Sequence, residues 1–292
     1  MFIAFVGFRN AKIIVANAAT FVALGKISDK EVILAALGVI LIAILMARKV
    51  GSAILIGIVA ITLAGIPLGI SHWPEHLFSW PHASGTFLKL DLRSAFKIGL
   101  GELVFVFFFV DLFDNVGTLV GVCEQGGFLR DGKLPRASRA LLADAFGTIV
   151  GALSGTSTVT SYIESAAGVA AGARTGLGNL VIAGLFVAAM FCAPIVAAIP
   201  SYATAPALIL VGALMCSSVA KVNWGDFTDA VPAFLTLIVT PLTFSIANGL
   251  AFGIVSYVLI HLAAGRGRQV SWAAYVLAGL LIIRFVYIAS RT

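Results

Sequence analysis

Four acidic residues stand inside apolar sequence, where carboxylates are rare. They are Asp111 and Asp114 in FFFVDLFDNVGTLVG, Asp144 in ALLADAFGTIVG and Glu164 in SGTSTVTSYIESAAGV. An ionisable group at membrane depth costs at least about 2.5–3.5 kcal/mol on insertion scales, so such groups face a cavity and handle a substrate, an ion or a proton. Asp111 and Asp114 are three residues apart, hence neighbours on one helix face. Asn115 and Thr118 continue that stripe, while Phe, Val and Leu fill the opposite positions. A polar seam joining two helices needs fewer than two carboxylates on adjacent turns, so the stripe reads as the lining of a polar cavity. Gly117 and Gly121 would let a second helix approach closely.

The segment Ser154–Ser165 is the second candidate. Seven of its twelve residues are Ser or Thr, yet apolar sequence flanks it on both sides. Small and β-branched residues over Thr156–Thr160 favour extended backbone, which is tolerated at membrane depth only where protein buries it or a cavity abuts it. Ser161-Tyr162-Ile163-Glu164 then fits the S-x-x-E capping box, so a short helix is expected from about Ser161. A broken helix offers free N–H groups beside the carboxylate stripe, a pattern found at secondary-transporter sites. Asp144 lies about two turns from the basic 130–139 loop and is read as structural, paired with Arg or Lys. Arg174 is read as an anchor near the end of the short helix.

These residues need helices to hold them, and composition says which kind. Of 292 residues, 60% are apolar and 11% charged, with a mean hydropathy of +1.07. A soluble domain carries about 25% charged residues, so a soluble enzyme, a disordered tail and a nucleic-acid binder are excluded. The chain reads as an all-α polytopic protein of the cell membrane, with the lipid bilayer as its solvent. Apolar blocks place part of a span at 1–22, then spans near 31–47, 52–70, 99–122 and 138–153, a short segment at 161–172, and spans near 177–199, 205–221, 228–246 and 247–264. A last stretch, 272–289, is expected along the interface. The first block is shorter than the roughly 20 residues that cross a bilayer, and no charged n-region precedes it as in a signal peptide.

Lysine and arginine test this parse. With 161–172 counted as a span, alternate loops collect Arg48 and Lys49, the 130–139 cluster, Arg174, Lys221, Arg266 and Arg268 on one side. Three later loops on the other side carry no basic residue. Basic residues of short loops gather in the cytoplasm, so the net charge of +6 is a topology signal and no nucleic-acid partner is expected. Cys123, Cys192 and Cys216 form no close-spaced pair, which indicates neither a disulfide framework nor zinc. His72 and His76 have a spacing that could hold a metal on a helix. Pro74, Pro81, Trp73 and Trp80 instead mark an interfacial aromatic loop, and no metal site is expected.

The blocks DLFDNVGTLVG (111–121), SYIESAAGVAAGARTGL (161–177) and GFRNAKIIVANAATFVALG (7–25) resemble the nucleobase–cation symporter-2 family, in its AzgA-like adenine/guanine/hypoxanthine permease branch. One departure is Ala173, where the family usually has a second Gly. The resemblance implies an inverted-repeat (7+7) transporter fold with core and gate domains, of which this chain covers segments 5–14. It assigns 1–70 to gate segments 5–7 (the first truncated), 71–98 to an outer loop, 99–200 to core segments 8–11, 205–265 to gate segments 12–14 and 266–292 to a C-terminal interfacial segment. The broken helix falls at 155–172, with a short membrane-embedded strand before a half-helix. The resemblance also implies that Asp111 and Glu164, with Thr160 and Ser161, bind a purine nucleobase, and that Asp114, Asn115 and Thr118 support binding or proton coupling. No cofactor is implied beyond a coupling ion, expected to be H⁺. The partners implied are the purine, a second copy in a homodimer, and an N-terminal companion fragment if segments 1–4 reside on another chain.

Two alternatives share this sequence. One is an anion carrier of sulfate type, which the carboxylates oppose. The other is a truncated or split permease inactive alone, since only one broken helix is found. An intramembrane aspartyl protease needs aspartates on different helices and a Gly-x-Gly-Asp signature. Asp111 and Asp114 share one helix and the signature is absent, so no enzyme activity is expected.

Overall fold

The computed structural model describes residues 1–74, 76–81, 85–91, 93–94, 100–129, 134–162, 165–170 and 172–289. They are mostly helical and form two compact units, one of Met1–Trp73 with Ile199–Thr292 and one of Pro74–Ala198.

In the first unit α1 (Phe2–Asn10) is followed by a hairpin of β1 (Ile14–Asn17) and β2 (Phe21–Leu24), then α2 (Lys30–Ala47) and α3 (Ala53–Gly65). The sequence suggested part of one span over 1–22; the chain instead turns back on itself. The Asn17 side chain accepts from the Ala19 and Thr20 N–H groups at 2.8 and 3.2 Å, the side-chain bonding by which Asn stabilises a turn. The strands pair antiparallel from Ile14 opposite Leu24 to Asn17 opposite Phe21. Gly25 closes the hairpin by donating to the Ile13 carbonyl at 2.8 Å, and a Cβ there would lie 2.0 Å from the Lys12 carbonyl oxygen. Lys12 pairs with Glu31 at 2.9 Å, and Asp29 caps α2 by accepting from the Glu31 N–H.

After the residues of the second unit, the unit continues with α9 (Ser201–Met215), α10 (Phe227–Leu242), α11 (Ile246–Ala263) and α12 (Trp272–Ala289). Its core joins Leu34, Ala35 and Ile61 to Tyr202, Ala203 and Ala205, and Tyr202 shares a buried 2.6 Å hydrogen bond with Ser71. α12 packs lengthwise on α11 in antiparallel sense, with Phe285 edge-on to Phe252 and Tyr275 donating to the Gly267 carbonyl. This is the stretch that the sequence reading laid along the interface.

The second unit holds α4 (Leu100–Gln125), α5 (Ala137–Ser154), α6 (Ser165–Ala170), α7 (Gly176–Phe191) and α8 (Ala193–Ala197). The single span expected over 177–199 breaks at Cys192, where Pro194 opens α8. α7 buries no residue within its unit; Leu180 and Phe186 are 70% and 68% exposed. Such apolar exposure suits lipid as the surrounding solvent. Among the described residues, α2, α9 with its 3-10 extension to Lys221, and α11 are long and apolar enough to cross a membrane.

Candidate functional site

The polar stripe on α4 meets the broken segment through one side chain. Asn115 is fully buried. Its Oδ1 accepts from the Ser161 N–H at 2.7 Å, and its Nδ2 donates to Asp144 Oδ2 at 2.7 Å. The amide orientation follows from chemistry: a backbone N–H can only donate, so the oxygen faces Ser161 and the NH₂ faces the carboxylate. One amide thus ties together α4, α5 and the chain entering α6.

The local sequence explains how the broken segment reaches Asn115. α5 ends where Gly155 adopts φ 77°, a left-handed position that glycine occupies at low cost. The Gly155 and Thr156 N–H groups then return to the Ala152 and Gly151 carbonyls. Residues 156–162 run irregularly back along α5, where Thr148 donates to the Val159 carbonyl at 2.9 Å. A Cβ on Gly151 would lie 3.0 Å from the Val159 side chain, so small residues make the groove. The expected short strand is present only as non-helical backbone, with no strand pairing among the described residues. Its groups bond to side chains of α4 and α5 instead.

Among the described residues the short helix comprises Ser165–Ala170, and Ser161 and Tyr162, where it was expected to begin, are non-helical. The Ser161 N–H, which a capping box would give to Glu164, goes to Asn115. Glu164 itself lies outside the described residues. Asp144, expected to pair with a basic residue, has Asn115 as its hydrogen-bond partner among the described residues.

The remaining sequence candidates divide around Asn115. Asp111 is half-buried, and its Oδ1 is shielded from solvent with no hydrogen-bond partner among the described residues. Asp114 is exposed and Thr160 half-buried. The carboxylates of Asp111, Asp114 and Asp144 lie within Coulombic reach of one another. Thr118 is buried. With Ser161 it lines a cavity of roughly 390 Å³ whose wall continues through Phe128, Tyr162, Arg174 and Asn179. The structure therefore brings Asn115, Thr118 and Ser161 together. Sequence reasoning missed Phe128 and Asn179, and it took Arg174 for an anchor. The signal for Asn179 was a lone amide in the first turn of an otherwise apolar helix.

Residues 1–285 match the Permease family. A Methanocaldococcus jannaschii protein named only as a permease is 51% identical over 291 residues, which is 99% of this chain and 67% of that protein. The adenine permease AdeP of Escherichia coli is 42% identical over 289 residues, 99% of this chain and 65% of its own length. The guanine/hypoxanthine permease PbuG of Bacillus subtilis is 42% identical over 291 residues, 99% of this chain and 66% of its own. The chain thus spans about two thirds of the length of these curated relatives.

Proposed function

This chain belongs to the Permease family, within the nucleobase–cation symporters, and on that premise we propose that it carries purine nucleobases across the cell membrane with proton coupling. Membership makes it an integral membrane transporter and not an enzyme. The observation that carries the proposal is the shielded Asp111 Oδ1, without a hydrogen-bond partner among the described residues, one helical turn from the buried Asn115 junction. A shielded carboxylate oxygen without a donor is costly, and a ligand bearing N–H groups relieves that cost.

A purine presents ring and exocyclic N–H donors on one edge. Asp111 accepts from them on one side, and Glu164, with Thr160 and Ser161, engages the base from the broken segment. Hydrogen bonds to charged groups are worth about 1.5–3 kcal/mol each, enough for two carboxylates to hold a small base. Asp111, Asp114 and Asp144 repel one another when all are charged. A proton taken by one of them relieves that repulsion, and its release on the far side couples uptake to the proton gradient. Asn115 and Thr118 hold the helices in register. In the same reading 1–70 and 205–265 act as the gate and 99–200 as the core of an inverted-repeat carrier.

The sulfate-type alternative calls for a cationic or neutral site, and the three neighbouring carboxylates oppose it. The test is uptake of radiolabelled adenine and hypoxanthine by cells lacking their own purine carriers. Expression of this chain is expected to confer uptake that a protonophore abolishes. Glu164→Gln is expected to remove uptake with membrane insertion intact; unchanged uptake would take Glu164 out of the site.

A further inference from the structure

The cavity beyond Asn115 shares Thr118 and Ser161 with the site proposed above and extends past them to Phe128, Arg174 and Asn179, which that site does not use. On α4 the carboxylates Asp111 and Asp114 precede Asn115, whereas Thr118 and Val122 on the cavity wall follow it. From Asp111 to Val122 is about 16 Å of helix at 1.5 Å per residue. At roughly 390 Å³ the cavity falls in the range of small-molecule sites. Two aromatic rings, Phe128 and Tyr162, line it together with a guanidinium and an amide. Arg174 Cζ stands 5.8 Å from the Phe128 ring centroid, within cation–π reach, which holds the guanidinium against the wall. Beside the two rings the lining is largely polar, with Thr118, Ser161, Ser165 and Thr175 as well as Arg174 and Asn179, which suits a flat heteroaromatic ring rich in hydrogen-bonding groups.

The polar groups discriminate between such rings. Arginine is a donor-only fork. A 6-oxopurine presents two acceptors, O6 and N7, on one edge, and a guanidinium meets both. A 6-aminopurine places a donor amine beside N7, so the same fork meets one acceptor and one repelling N–H. Asn179 carries both a donor and an acceptor and can meet either edge. Discrimination therefore falls on Arg174.

We propose that this cavity is a second purine subsite in which Arg174 selects 6-oxopurines over 6-aminopurines. It rests on the purine reading above. Arg136, Arg139 and Arg174 place this end of the second unit toward the cytoplasm by the positive-inside rule. A base reaches the subsite after leaving the carboxylates, so Arg174 is a specificity residue on the exit path.

The test is equilibrium binding of radiolabelled hypoxanthine and adenine to the purified chain in lipid nanodiscs. It compares wild type, Asp111→Asn, and Asp111→Asn combined with Arg174→Gln or Arg174→Lys. Asp111→Asn disables the carboxylate site and is expected to keep weak, saturable binding of both bases. Adding either Arg174 substitution is expected to weaken hypoxanthine binding between about fivefold and a hundredfold, the range for one lost bidentate contact, and to leave adenine within about twofold. Lysine keeps the charge but loses the fork, so recovery of hypoxanthine binding by Arg174→Lys would reduce Arg174 to an anchor and overturn the proposal. Equal loss of both bases would overturn it too. If wild type binds purines and Asp111→Asn retains no binding, the subsite alone falls. If wild type binds neither base, the purine reading falls and this proposal with it.

Discussion

Within each of the two units the segments are held by a different balance of contacts. In the first, helices meet where there is no room for a methyl group. A Cβ on Gly57 would lie 2.1 Å from Ile42, one on Gly253 would lie 1.9 Å from Thr236 Oγ1, and one on Gly249 would lie 1.7 Å from Thr240 Oγ1. In the second, Gly117, Gly121, Gly168 and Gly184 have nothing within 4 Å of that position among the described residues, while Gly126 and Gly151 are closely approached, and a hydrogen-bonded amide, Asn115, joins three segments. Membrane helices associate through close backbone packing and through polar bonds; packing is more prominent in the first unit, which also holds the buried Ser71–Tyr202 bond, and polar bonding around Asn115 in the second. Tight packing suits a rigid body. Polar bonding with space around it suits a part that must open to a ligand.

The comparison breaks most sharply at Asn115. Asn115→Leu would strand the Ser161 N–H and the Asp144 carboxylate, each left unsatisfied at about 1–3 kcal/mol or more. The second unit is expected to lose about 3 kcal/mol or more, read as a fall in thermal unfolding of purified protein, and transport is expected to stop. Next is Gly253→Val, which drives a branched side chain into Thr236. Overpacking of this kind costs about 1–3 kcal/mol, and denaturant unfolding of the purified chain would show it.

A smaller effect is expected at the exposed end of α10. Asp226 caps that helix and pairs with Arg266. Bonds from Thr228, then from Arg266, hold its carboxyl down at about 2, below the usual 3.8. A depressed carboxylate stabilises the fold fully above its unfolded pKa, and that contribution fades as pH falls through the folded one. Thermal stability is therefore expected to lose this contribution between about pH 4 and pH 2, and Asp226→Asn should flatten that part of the profile. Smallest of all is Gly117→Ala on α4. With open space at that position, the change is expected within about 1 kcal/mol and in the stabilising direction, because alanine favours helix over glycine by about that amount. A large loss at Gly117 would erase the contrast between the units.

The sequence carried much of this, and where it fell short the reason is physical. The spacing of Asp111, Asp114, Asn115 and Thr118 placed them on one helix because helical periodicity is local, and α4 runs through all four. The break after Ser154 was visible because seven hydroxyl residues in an apolar setting cannot continue a lipid-facing helix. The hairpin at 14–24 was not visible, since Ile14 and Val15 suit strands and apolar helices alike. Only the side chain of Asn17, folded onto its own backbone, decides between them. The partners of Asn115 lie 29 and 46 residues away in sequence, and no spacing rule reaches that far. Arg174 was legible as a cation after the short helix, but not the ring it lies against, since Phe128 stands beyond the end of another helix.

The central claim is that Asp111 on α4, whose Oδ1 is shielded and has no hydrogen-bond partner among the described residues, holds a purine base. Its most direct test is high-affinity binding of radiolabelled hypoxanthine and adenine to the purified chain in lipid nanodiscs, with Asp111→Asn beside wild type. Losing two charge-assisted hydrogen bonds, at about 1.5–3 kcal/mol each, is expected to weaken binding at least about a hundredfold while thermal unfolding stays unchanged. Equal affinity in Asp111→Asn and wild type, or saturable binding of sulfate in place of either purine, would contradict it.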